Sequence, residues 1–156
     1  MKLKALLLGI ALALPLVSPA QGQHNPMDPN AAKPLPERKD VVSWKTLAQV
    51  ELVKVKDRYF PQYAKDVSAL DQKQVKLQGF MMPLQTGDKQ THFVLSAMPT
   101  TCSFCLPGGP ESLVEVKTKA AVKYTFDPVV LTGKLSVLKD DPRGVFYTLT
   151  DAVQSN

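Results

Sequence analysis

The chain has 156 residues, of which 44% are hydrophobic and 21% charged, and it carries a formal charge of +5. This is one domain's length with a globular composition. It excludes a multidomain enzyme, a polytopic membrane protein and a disulfide-dense mini-protein.

In chain order, Lys2 and Lys4 precede an apolar stretch from Ala5 to Val17, and Ser18-Pro19-Ala20 offers small residues for cleavage near Ala20. The stretch is too short for a spanning helix and Pro15 interrupts its end. Residues 1–20 therefore read as a signal peptide, with the protein periplasmic or otherwise exported and no membrane span after cleavage. No cysteine sits at the cleavage point to take a lipid. Removal of 1–20 takes two lysines and leaves 17 basic and 14 acidic side chains, a formal charge of +3. That mild excess has no basic cluster, so a nucleic-acid partner is not expected.

Residues 21–40 hold four prolines and almost no large apolar side chains, and they read as a flexible arm. One β-rich domain is expected over 41–156. Val50, Leu52, Val53 and Val55 mix helix and strand patterns. Pro61 is placed to open a short helix through Leu70, with Tyr63, Val67 and Leu70 on one face.

From Gln74 the pattern alternates. Val75, Leu77, Gly79 and Met81 share one face of a strand that Pro83 ends, and Gly79 marks a bulge or bend. Thr86-Gly87-Asp88 is a turn, Thr91–Ala97 a second strand and Leu113–Lys117 a short third. Val129, Leu131, Gly133, Leu135 and Val137 alternate along a fourth. Asp140-Asp141-Pro142-Arg143-Gly144 turns the chain into a fifth strand, VFYTLTDA. Five short strands, two with a central glycine, predict a mainly β fold: a small OB-like five-stranded barrel with a short N-terminal helix/strand extension. An open β-sandwich is the alternative.

Cys102 and Cys105 are the whole cysteine content. They lie in a Pro/Gly-rich segment between the second and third strands. Three chemistries compete for such a pair outside the cytoplasm. A Cys102–Cys105 disulfide would close a tiny loop and stabilise little. Two thiolates are half of a tetrahedral zinc site, or most of a Cu(I) site. His92 is the one histidine in the folded part, with Met81, Met82 and Met98 as soft donors and Glu111 as a carboxylate. Dithiol redox catalysis needs a cysteine at a helix N-terminus, which Pro107-Gly108-Gly109-Pro110 forbids. There is no GxSxG, no phosphate loop and no second CxxC, so an enzyme is not expected.

The stretches VKLQGFMMPL, THFVLSAMPTTC and PGGPESLVEV resemble the DUF3299 family of small exported bacterial proteins, over roughly Trp44 to Asp151. Many relatives carry one cysteine with a histidine two positions on, in a Cys-x-His-x-Pro-Pro-Pro loop. Here Phe104 stands in place of that histidine, Cys105 adds a thiol, and Gly108-Gly109 replace prolines, while Pro110 is kept. The resemblance implies a soft or borderline ligand pair in this loop and a setting beside envelope transport systems, some tied to zinc supply. The expectation is a non-catalytic protein that holds zinc or copper at Cys102 and Cys105, with His92 as third ligand, for an envelope transporter or another periplasmic protein. The alternative is a structural or adaptor domain with an inert disulfide, and the third reading is a dithiol redox protein.

Overall fold

The computed structural model describes residues 35–99 and 108–155. The segments expected to be a signal peptide (1–20) and most of the expected arm (21–40) lie outside these residues. Within the compact unit that begins at Ala32, the first element is a helix, α1 (Trp44–Leu47), whose Ser43 cap accepts from the Lys45 N–H. Strands β1 (Val50–Val55) and β2 (Arg58–Tyr63) form an antiparallel ribbon. Helix α2 (Lys65–Ser68) follows.

The rest is β3 (Gln74–Pro83), β4 (Lys89–Ser96), a 3-10 turn (Pro110–Ser112), β5 (Leu113–Lys123), β6 (Val129–Val137) and β7 (Tyr147–Ser155). These five strands close into a barrel in the order β3-β4-β5-β7-β6, with β6 returning to β3. All neighbours are antiparallel except β5 and β7, which run parallel. The fold is thus the OB-like barrel that the alternation implies. A sandwich is excluded, because β3 and β6 pair from Gln74↔Lys134 to Gly79↔Val129 and leave no open edge there.

Closure depends on two close approaches. β3 pairs with β6 as far as Gly79 and with β4 from Phe80 onward, so it changes partner at the glycine. A Cβ at Gly79 would stand 2.6 Å from the Ser96 carbonyl oxygen and 2.7 Å from Leu95 Cγ. At Gly133, where the β6–β7 register shifts, it would stand 2.9 Å from the Thr150 carbonyl oxygen. Leu77, Phe93, Leu95, Val114, Val116, Leu131, Leu135 and Leu149 fill the interior with no exposure.

The strand directions give the barrel two rims. At the Ser96 rim β3 and β7 begin and β4 ends; at the Leu84 rim β3, β5 and β7 end and β4 begins. The helices belong to the Ser96 rim. Leu47 and Val67 are fully buried there, the Tyr147 hydroxyl donates to the Leu47 carbonyl, and Trp44 Nε1 donates to the Gln78 carbonyl at 2.8 Å. Tyr63 ties the ribbon to the same rim through its hydroxyl, bonded to the Leu138 carbonyl, and through edge contact with Phe146.

Two expectations are corrected. Pro61 opens no helix: it lies in β2 opposite Leu52, and the helix is confined to Lys65–Ser68. Lys56, with φ of 54°, makes the tight turn that folds β2 back on β1, and an edge strand tolerates the N–H that proline lacks. The third strand runs to Lys123 rather than Lys117, because past a bulge at Gln90/His92 it stays paired with the start of β4. Among the described residues no helix is long and apolar enough to cross a membrane.

Replacing Gly79 by alanine should force β3 and β4 apart. The expected cost is about 2 kcal/mol, read as a Tm lower by roughly 5–10 °C. An unchanged Tm would show that the close approach constrains nothing.

Candidate functional site

Cys102 and Cys105 lie outside the described residues, and their separation from His92 is therefore outside them too. The anchorage of the segment that carries them is described on both sides. β4 and β5 stay paired up to Ser96↔Leu113, and the Ala97 N–H donates to the Ser112 carbonyl at 3.1 Å. The Ser96 hydroxyl, fully buried, donates to the Met98 carbonyl at 2.7 Å and accepts from the Met98 N–H at 3.1 Å. On the returning side the Ser112 hydroxyl and N–H both reach the Gly109 carbonyl, at 2.7 and 2.9 Å.

Gly108 adopts φ of 108°, which only glycine takes without strain, and its Cβ position lies 3.8 Å from Met98 Cε. The chain therefore leaves and re-enters the barrel at one clamped point. Met98 stands at that point with half its surface exposed, 50%. Its thioether is a soft donor beside the base of the cysteine segment.

His92 lies elsewhere on the wall. It sits on the outer face of β4 opposite Lys117, four residues from Ser96, which is about 13 Å along a strand. Its Nε2 is 2.7 Å from Glu115 Oε1. Glu115 also receives Arg143, with Nη1 at 3.1 Å from Oε1 and Nη2 at 2.9 Å from Oε2. Arg143 in turn holds Asp141, its Nη2 3.1 Å from Oδ2 and its backbone N–H 2.8 Å from Oδ1.

The result is a chain of ion pairs and hydrogen bonds that fastens the β6–β7 loop to the outer face of β4 and β5. The Arg143 hydrogen bond and the His92 contact hold the Glu115 carboxyl below its usual range, against the opposing effect of burial. Arg143 likewise lowers Asp141. Reading the sequence does not find this cluster: Asp140-Asp141 looks like ordinary loop polarity, and Glu111 was the carboxylate near the cysteines. Alternation in LVEV does place Glu115 on the outer face, but its partner Arg143 is 28 positions away. Among the described residues, no group of three or more His, Cys, Asp or Glu side chains is disposed to hold a metal ion.

A family model described as a protein of unknown function, DUF3299, matches residues 24–150. Among solved structures, the chain is similar to a DUF3299 family protein from Pseudomonas aeruginosa PAO1. The two share 22% identity over 62% of this chain and 68% of that one, with a TM-score of 0.48. No curated protein matches the chain.

The Glu115 contacts generate a pH dependence. A carboxyl depressed in the folded state stabilises it fully above the ordinary glutamate value of 4.5, and that stability is lost as pH falls through the lower folded value. Glu115→Gln should cost about 1 kcal/mol at neutral pH, kept small by the water around Arg143. Urea midpoints for the two proteins should converge as the solution is acidified below that value. A gap that persists undiminished at the acid end would remove the charge from the account.

Proposed function

The chain belongs to the DUF3299 family, and from that premise we propose that it is an exported, non-catalytic accessory protein that carries a transition metal at Cys102 and Cys105 for an envelope transporter. The observation that carries this reading is the clamped base of the cysteine segment. A two-residue spacer lets both sulfurs reach one ion, and a base fixed by Ser96, Gly109 and Ser112 reduces the freedom lost on binding.

The donors nearest to hand are soft. Two thiolates with the exposed Met98 thioether suit Cu(I), whereas zinc would require two further thiolate, imidazole or carboxylate ligands, and His92, its Nε2 on Glu115, stands four residues up the strand from Ser96. The cargo is accordingly Cu(I) first and zinc second. Cleavage near Ala20 would deliver the protein to the periplasm.

One observation favours a second reading, an adaptor with an inert Cys102–Cys105 disulfide. The β1–β2 ribbon exposes Leu52 at 57%, Val55 at 52% and Tyr59 at 63%, more apolar surface than a two-stranded ribbon needs for itself.

The test uses reduced protein comprising residues 21–156, loaded anaerobically with Cu(I) or Zn(II) and desalted. About one ion per chain should remain, and Cys102→Ser with Cys105→Ser should abolish it. Met98→Leu should weaken Cu(I) retention several-fold while leaving zinc unchanged. Equal metal content in the parent and the double variant overturns the reading. Thiols that resist alkylation in freshly isolated protein would then identify the adaptor, and turnover of a model disulfide the redox protein.

A further inference from the structure

Among the described residues the free strand edges belong to the β1–β2 ribbon, since the other strands close into the barrel. The ribbon turns at Lys56-Asp57, which makes Val55↔Arg58 its first hydrogen-bonded pair; bonded pairs then recur at Val53↔Phe60 and Glu51↔Gln62. The Ala64 N–H, donating to the Gln49 carbonyl at 3.0 Å, continues the same alternation. Glu51, Val53 and Val55 therefore direct their backbone groups at β2, and Leu52 and Lys54 turn theirs outward. Val50 faces outward as well, but its N–H is taken by the Ala48 carbonyl at 2.9 Å. The other edge of the ribbon is blunted. Pro61, opposite Leu52, stands at an outward position of β2 and offers no N–H there.

The side chains along the β1 edge are apolar and exposed: Leu52, Val53 and Val55. A strand edge with neither proline nor bulge, flanked by such side chains, is a template for another strand. Within the described chain the strand able to complete it is β1 of another molecule, because each barrel strand already has two neighbours and β2 lacks a donor at Pro61. The edge is complementary to itself. A twofold axis through Val53 sets Leu52 of each copy opposite Lys54 of the other, so every outward N–H and carbonyl of these two residues finds a partner. An axis through Leu52 would need the Val50 N–H, which Ala48 holds. An axis through Lys54 would set two lysines face to face. In the Val53 register Lys54 faces Leu52, Glu51 faces Val55, and no like charges stand directly opposite.

We propose that β1 pairs antiparallel with β1 of a second copy of this chain, joining two ribbons into a four-stranded sheet with Val53 on the twofold axis. One face of that sheet carries Val53 and Val55 of both copies, flanked by Phe60, over whose ring the Arg58 guanidinium sits at 4.8 Å. A ribbon of two strands is marginal in water, and the added strands support it. The contact is isologous, so it closes at two copies. The outer edges of the new sheet are the two β2 strands, where Pro61 opposes further addition. The interface is a strand edge and not a broad surface, which makes the dimer weak and dependent on concentration.

The experiment is sedimentation velocity on residues 21–156 carrying Cys102→Ser and Cys105→Ser, so that neither a disulfide nor a bound metal at those positions joins two copies. Over about 1 μM to about 1 mM protein, dimer should replace monomer. Val53→Lys and Val53→Glu should each weaken association about tenfold or more, because each sets like charges on the axis, and an equimolar mixture of the two should restore the dimer. Leu52→Pro should weaken it comparably while keeping the parent's Tm, because the N–H it removes points away from β2. In the same background Val53→Cys should crosslink under diamide, since residues facing across the axis stand about 4.5 Å apart at Cα, within disulfide reach. Val55→Cys, at a more exposed position, should not, because its mate lies about 13 Å along the edge. Dimerisation unaltered by the Val53 and Leu52 variants, or equal crosslinking at the two positions, overturns the proposal. So does a monomer throughout the range, which would leave the edge to an extended strand of another protein.

Discussion

A barrel of five short strands closes only if its backbones pass one another at near contact, and this chain meets that constraint with two hydrogen atoms in place of side chains. At Gly79 the first barrel strand gives up β6 and takes β4, and at Gly133 β6 is bent against the last strand. Neither position has room for a methyl group without moving a backbone carbonyl. Closure also abolishes the sheet edges that a β-rich chain would otherwise expose to other molecules. Among the described residues only the small β1–β2 ribbon keeps free edges.

Once the wall is closed, everything that varies is attached at its rims. The Ser96 rim is plugged by Leu47 and Val67 and cross-tied by the Tyr147 and Tyr63 hydroxyls, so the helices and the ribbon become part of one core. The loop between β6 and β7 buries Phe146, and a chain of polar contacts holds the rest: Asp141 to Arg143, Arg143 to Glu115, Glu115 to His92. This gives His92 an evident task without any ion. A metal proposal that needs His92 must reach along the wall to its Nδ1 or displace the Glu115 contact, whereas Met98 already stands at the base of the loop. The bonding at the wall thus bears on the choice of cargo at the loop.

Much of the barrel is legible in the sequence because burial there follows a period of two. In Gln74–Pro83 and Val129–Val137 the apolar residues alternate around a glycine, and the boundaries are marked by Pro83 and Pro128. Pro61 misleads because the feature that makes β2 a strand is its pairing with β1 through a turn at Lys56, and lysine carries no turn signal. The parallel contact of Val116 with Leu149 is invisible to any local pattern, since it depends on closure. The same holds for the sites. Cys102 and Cys105 are conspicuous as residue types, while the burial of Glu115 depends on an arginine far along the chain. Phe126 would be counted as core by its chemistry, and it is exposed because β5 outruns the barrel before the chain turns back.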